Sequence, residues 1–218
     1  MVSRHETANA SSERIRTRWA SGVHAAGLRH TRAPRDARSI LRAATDEVHE
    51  RMHHHPGFAQ LAAGRIERIA YRRLLARSYG FYTMAEELVD RGNNWACRLA
   101  LDLAELGLTE QALGHLPRCP PPVIGTDQAA RVGATYVLLG ASLGGKVMAR
   151  AVTCGACAGE KLPTRFLAGD DNASWKDLVA NLDTLLPDEC ARSRAARSAV
   201  TMFCAFETWM NGWNASDD

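Results

Sequence analysis

Two short segments of this 218-residue chain carry residue types at spacings that could do chemistry. The first, Leu41-Arg-Ala-Ala-Thr-Asp-Glu-Val-His49, ends on an imidazole, a side chain suited to binding a metal or moving a proton near neutral pH. The second runs from Gly133 through Gly140-Ala-Ser-Leu-Gly144-Gly145-Lys-Val-Met-Ala-Arg150. Gly133, Gly140 and Gly144 recur at spacings of seven and four, so on a helix they share a face with Tyr136, Val137, Val147 and Met148. Each interior glycine costs about 1 kcal/mol relative to alanine, so such a helix needs a compensating reason. Tight packing of another helix is one reason, and close approach of a flat ligand to the bare backbone is the other. An imidazole beside an apolar stripe, combined with a nearly bare helix face, suits a flat iron cofactor held between two helices.

On a wheel of 100° per residue, Ala37, Ile40, Leu41, Ala44, Val48 and Met52 form one apolar stripe, and His49 falls at its edge. Thr45 lies one turn before it, and Arg38 and Arg42 lie on the same side, so a ligand touching His49 could meet a guanidinium at its rim. A lone histidine at a helix edge is more often a surface or interface residue, and the spacing alone leaves both readings open. His53, His54 and His55 point about 100° apart on a helix, cannot converge on one metal, and read as a solvated helix end. The glycine segment is not a phosphate loop. Gly140, Gly145 and Lys146 fit the spacing, but Val147 stands where the magnesium-binding hydroxyl belongs and no strand precedes it.

The elements that must position these segments are nearly all helical, because no period-2 apolar run extends beyond about five residues. Helices are expected over about 36–54, 58–63, 67–90, 92–106, 126–150 and beyond, 174–185 and 187–213. The first is closed by Pro56 and Gly57, and the run of prolines at 120–122 forces a loop. Residues 154–172 read as irregular. Residues 1–34 read as a flexible basic tail and 35–218 as one helical domain, a size that can bury a sizeable core.

Apolar residues make up 46% and charged residues 23%, as in a globular protein. No run approaches the roughly 20 apolar residues of a membrane-spanning helix, and the N-terminus has no apolar signal core, so a cytoplasmic setting is expected. Six scattered cysteines read as reduced thiols. The net charge of +3 is concentrated in the arginine-rich first 42 residues, but Trp19 is their only aromatic residue, which makes nucleic acid an unlikely partner.

The segment 41–88, with Ala44-Thr-x-x-x-His49, Gly64-Arg-Ile, Tyr71-Arg and Phe81-Tyr82, resembles the N-terminal half of a heme oxygenase, and Tyr136-Val-Leu-Leu-Gly-Ala-Ser-Leu-Gly-Gly145 resembles its distal helix. Trp175-Lys-Asp-Leu-Val-Ala-Asn-Leu-Asp183 and Ala199-Val-Thr-Met-Phe-Cys-Ala-Phe-Glu-Thr-Trp209 are similar to the bacterial branch that supplies biliverdin to bacteriophytochromes. The resemblance covers about 36–213 and implies an all-α, single-domain helix bundle. It also implies oxidative opening of heme to biliverdin, carbon monoxide and iron, with dioxygen and electrons from a reductase or ferredoxin. Heme would be both substrate and cofactor, His49 its iron ligand, and Arg42, Arg38 and Arg150 its propionate partners. Thr45, Tyr136, Val137 and Phe203 would line the pocket, and Gly140, Ser142 and Gly144 would lie over the face where dioxygen binds. Many relatives carry an acidic residue where this chain has Ala141, and Glu-Gly where it has Leu139-Gly140. Asp102 could anchor the water network in their place, or be a solvated helix acid.

Three other readings compete. A heme-binding sensor or carrier on the same fold would keep His49 without degrading heme. Cys154-Gly-Ala-Cys157 could be a redox pair or half a zinc site, although no second pair follows at zinc-finger distance. A cofactor-free hydrolase of the thiaminase-like type would use a cysteine and carboxylates, for which Cys204 and Glu207 are the candidates.

Overall fold

A computed structural model describes residues 36–89, 94–154 and 161–214, and among these every regular element is a helix. The basic tail therefore lies outside the described residues. Helix α1, Ala37–His53, starts where the Asp36 side chain accepts the Ser39 N–H at 2.8 Å, and it buries Ala37, Leu41, Thr45, Val48 and Met52. Helix α2, Pro56–Ala62, opens on Pro56 itself. That proline was expected to close the preceding helix, but its missing N–H and fixed φ make it equally a first helical residue. Helix α3 spans Arg68–Val89 and α4 spans Trp95–Glu105, the latter ended by Gly107 at φ 89°. A short α5, Glu110–Gly114, absent from the sequence expectation, starts where the Thr109 hydroxyl accepts the Ala112 N–H.

The glycine segment falls inside α6, Gln128–Cys154. Helix α7, Asn172–Leu185, and α8, Glu189–Met210, complete the described helices, α8 starting at an Asp188 cap on the Ala191 N–H at 2.7 Å. Helix α8 is the spine: α6 packs on it most extensively and α1 next, while α7 packs on α6 and on α1. On the other side α3 packs on α4. The largest fully buried side chains include Trp95, Tyr71 and Phe81, and an aromatic cluster of Phe81, Tyr82, Phe166 and Phe206 ties α3, α8 and the chain between α6 and α7 together.

Gly133 shows which of the two sequence explanations applies to it. A Cβ there would fall on the Ala195 carbonyl oxygen of α8, and one turn away the Ser198 hydroxyl donates to the Ala130 carbonyl at 2.7 Å. Gly133 is therefore a packing glycine that lets two helix backbones touch, which separates it from Gly140 and Gly144. One further correction concerns apolar runs: α6 is long and apolar enough to span a membrane by length and composition, contrary to the sequence reading. Its contacts with α8, α7, α2 and α3 account for part of that character, since 39% of its most apolar window is buried.

Gly133→Ala is expected to destabilise the protein by about 1–3 kcal/mol, because a methyl group must displace a backbone rather than a side chain. Urea denaturation followed by far-UV circular dichroism measures it, and an unchanged midpoint would contradict the close crossing.

Candidate functional site

Helices α1 and α6 both pack on α8 and on α7 and make no extensive contact with each other, which makes the space between them the candidate slot. His49 belongs to α1. Its ring is exposed, yet desolvation by the surrounding protein, and secondarily the neighbouring His53, push its pKa below the ordinary histidine value. The imidazole is therefore neutral at neutral pH, the form that binds iron. His53 meets it edge-on at 4.5 Å, and Phe203 of α8 meets it edge-on at 6.1 Å.

Arg38 and Arg42 are exposed on α1. Burial raises the pKa of the half-buried Tyr136 phenol on α6, while Arg38 and Arg42 act to lower it, so a residue of the glycine helix lies within electrostatic reach of the guanidinium pair. The Tyr136 ring packs on the Trp175 indole of α7 at 5.2 Å, and a Cβ at Gly140 would meet that same indole at 3.5 Å. The face of α6 at Gly140 thus already lies against a flat aromatic ring at van der Waals distance. Residues from both sequence segments, Arg38, Arg42 and His49 on α1 and Tyr136 on α6, could hold a flat, anionic, iron-bearing ligand.

The remaining expected residues are distributed less evenly. Val137 and Gly144 are half-buried on α6, Ala141 is exposed between Gly140 and Gly144, and Arg150 is exposed farther along. Leu139 is fully buried, so it belongs to the core. Ser142 turns its hydroxyl to the Leu139 carbonyl at 2.7 Å, and the buried Thr45 hydroxyl donates to the Leu41 carbonyl at 2.9 Å. Asp102 requires correction. It is 0% exposed, so it is not a solvated helix acid, and its carboxylate accepts the Arg165 and Phe166 N–H groups and the Arg165 guanidinium rather than facing the slot. Cys204 and Glu207 do not form a hydrolase centre: Glu207 is held by Arg51 of α1 through two contacts at 2.6 and 2.9 Å, which lower the Glu207 pKa. Cys154 is exposed at the end of α6, and Cys157 lies outside the described residues. No cluster of three or more metal-ligating side chains occurs among the described residues.

Several residues that shape the site had no local signature in the sequence. The Arg51–Glu207 clamp joins positions 156 apart and fastens the histidine helix to α8. Trp175 was visible only as part of a motif, not as the ring against Gly140. His55 was grouped with a solvated helix end but is buried, stacked between Phe58 and Trp213, with Nε2 donating to the Met210 carbonyl at 3.0 Å and Nδ1 making no hydrogen bond.

An all-helical fold with a histidine helix facing a glycine helix defines the class, and comparison with known proteins defines the family. The heme oxygenase family profile matches residues 35–115. The chain is 31% identical over 160 residues to a heme oxygenase of Xanthomonas campestris pv. campestris, covering 68% of this chain and 93% of that protein. Its fold is similar to the heme oxygenase of Leptospira interrogans, with TM-score 0.64 and 18% identity over 80% of this chain and 98% of that one. It is also similar to heme oxygenase-1 of the cyanobacterium Synechocystis in complex with heme, with TM-score 0.64 and 18% identity over 82% and 92% of the two chains. This chain belongs to the heme oxygenase family.

Burial lowers the His55 pKa, so the folded state resists a proton that the unfolded chain takes up as pH falls through about 6.5. Stability is therefore full above that pH and declines below it. Urea midpoints between about pH 8 and 5 are expected to fall on the acid side, with a smaller slope in His55→Phe; equal slopes in the two proteins would remove His55 as the cause.

Proposed function

We propose that this chain is a heme oxygenase that opens heme to biliverdin, carbon monoxide and iron, using dioxygen and external electrons. The observation that carries this reading is His49 on α1, its imidazole held neutral by desolvation, with Arg38 and Arg42 of the same helix within electrostatic reach of Tyr136 on α6, in a chain of this family. Heme iron supplies the binding and activation of dioxygen. The protein holds and orients it. His49 ligates the iron, and Phe203 limits the tilt of the imidazole by resting against its edge. Arg38, Arg42 and Arg150 pair with the two propionates at the rim, where charge-assisted contacts also fix the rotation of the ring in its plane. Tyr136 and Val137 would cover apolar porphyrin surface, and the absent side chain of Gly144 would let the α6 backbone approach the ligand closely, whereas the Cβ position of Gly140 lies against the Trp175 indole. Ala141 contributes a methyl group rather than a carboxyl, and the Ser142 hydroxyl, which donates to the Leu139 carbonyl, keeps its lone pairs to accept from a water that would deliver protons.

The function belongs to residues 35–218 in this reading, with 1–34 a basic tail. The reaction consumes more electrons than ferrous iron carries, so a reductase or ferredoxin supplies them. A bacteriophytochrome is the proposed recipient of the biliverdin, on the resemblance of segments 175–183 and 199–209 to enzymes that serve such photoreceptors. Free thiols at the described cysteines support a cytoplasmic setting. The second reading, a heme carrier or sensor, is favoured by the side chain missing at Ala141.

Titration with heme is expected to give a Soret band that His49→Ala weakens by at least about tenfold in affinity, the loss expected when an iron ligand is removed. Unchanged affinity would remove His49 as the ligand. With reductant and oxygen the Soret band is expected to decay as bilin absorbance and carbon monoxide rise; a persistent Soret band without bilin would establish the carrier reading. Arg38→Glu combined with Arg42→Glu is expected to weaken heme binding by about tenfold while leaving the Soret maximum in place, since the ligand is retained.

A further inference from the structure

Residues 161–171, between the described parts of α6 and α7, contain no helix, yet they are fastened by buried charge at their middle and at their C-terminal end. On the α4 side, Asp102 is 0% exposed and accepts the Phe166 N–H at 2.9 Å, the Arg165 N–H at 3.1 Å and the Arg165 guanidinium at 3.1 Å. Asp171, also buried, accepts the Trp95 indole N–H at 3.0 Å and the Arg98 guanidinium at 3.0 Å. The fully buried Tyr71 hydroxyl donates to the Pro163 carbonyl at 2.8 Å. On the other side this strap leans on α6: a Cβ at Gly145 would lie 2.8 Å from the Leu167 carbonyl oxygen, and Asp170 pairs with Lys146 at 2.7 Å. Burying carboxylates is costly unless each finds several partners, and apolar contacts alone could hold an irregular segment against a core. Here two buried carboxylates hold one segment, and that segment abuts α6 immediately after Gly144.

We propose that Asp102 is a positioning residue for the heme reaction: together with Asp171 it pins the 161–171 strap, and the strap fixes where the Gly144–Gly145 stretch of α6 stands over the porphyrin and hence how bound dioxygen is directed. The proposal rests on the heme oxygenase reading of the slot. It assigns Asp102 no contact with heme or water in the pocket. Its effect travels through the backbone contact between Leu167 and Gly145, where a shift of a few tenths of an ångström is transmitted because neither side can yield as a flexible side chain would. Reaction outcome is sensitive to displacements of that order when the reacting atoms are held by the protein.

The test compares Asp102→Asn and Gly145→Ala with Thr109→Ala, which removes the hydroxyl cap of α5 and lowers stability away from α6 and the strap. Each is studied well below its own melting midpoint, with three readouts: amide exchange across residues 140–148 of the heme-free protein, the C–O stretching frequency of the ferrous carbon monoxide complex, and the biliverdin isomers separated by chromatography. Asp102→Asn is expected to speed exchange across 140–148 by about tenfold, to shift the C–O stretch, and to mix the isomers, while heme affinity stays within about threefold of wild type because His49 is untouched. Gly145→Ala is expected to shift the C–O stretch and the isomers with Asp102 intact, and it decides the matter if Asp102→Asn does not fold. Thr109→Ala is expected to lower the melting midpoint and leave stretch and isomers at wild-type values. Wild-type stretch and isomers in the strap variants, or an equal shift in Thr109→Ala, would overturn the proposal. A wild-type protein without a His49-dependent Soret band would instead overturn the heme reading, while the amide exchange still reports whether the strap holds α6.

Discussion

The close crossing of α6 over α8 at Gly133 is the constraint on which the rest of the structure depends. A helix backbone set directly against the Ala195 carbonyl leaves no freedom for α6 to slide or roll, and the Ser198 hydroxyl on the Ala130 carbonyl marks the same contact with a buried hydrogen bond. Helix α1 is fastened to the same spine by different physics, an apolar stripe through Leu41, Val48 and Met52 closed by the Arg51–Glu207 pair at its C-terminal end. With both helices referred to one spine, the distance between His49 and the glycine face is set by two rigid contacts rather than by direct packing of α1 on α6.

The glycines of α6 divide along its length according to what they face. Gly133 admits the α8 backbone, Gly145 admits the strap, and Gly140 faces an indole that a methyl group could also meet without strain. Close backbone approach at two points along the helix holds the stretch between them, and that stretch contains Gly140, Ala141, Ser142 and Gly144. The energetic penalty of several interior glycines is offset by packing at Gly133 and Gly145, which leaves the intervening residues available for ligand contact.

Buried charge in this protein serves placement rather than chemistry. Asp102 and Asp171 are surrounded by backbone N–H groups, an indole N–H and guanidinium groups that satisfy their oxygens, as buried carboxylates require. His55, similarly buried, is held neutral by desolvation at the junction of α1 and α2. His49 has the opposite character, desolvated by its surroundings while its ring stays accessible. That contrast separates His49 from His55, six residues on.

Helix type and order were legible from apolar periodicity and from Gly107 and the proline run, because these are local properties of the backbone and the side chains beside it. The edge position of His49 and its arginines on one side of α1 follow from helical geometry alone, and so does the shared face of Tyr136, Gly140 and Gly144. The short α5 and the helix-starting role of Pro56 were missed, since a one-turn helix has no periodicity and proline reads alike as an end or a beginning. Which glycines pack and which face the slot, that Asp102 is buried rather than solvated, that Arg51 clamps Glu207 and that residues 161–171 brace α6 were decided only by tertiary structure. Each depends on groups far apart in sequence, 156 residues in the case of the clamp, meeting at distances that only the assembled helices define.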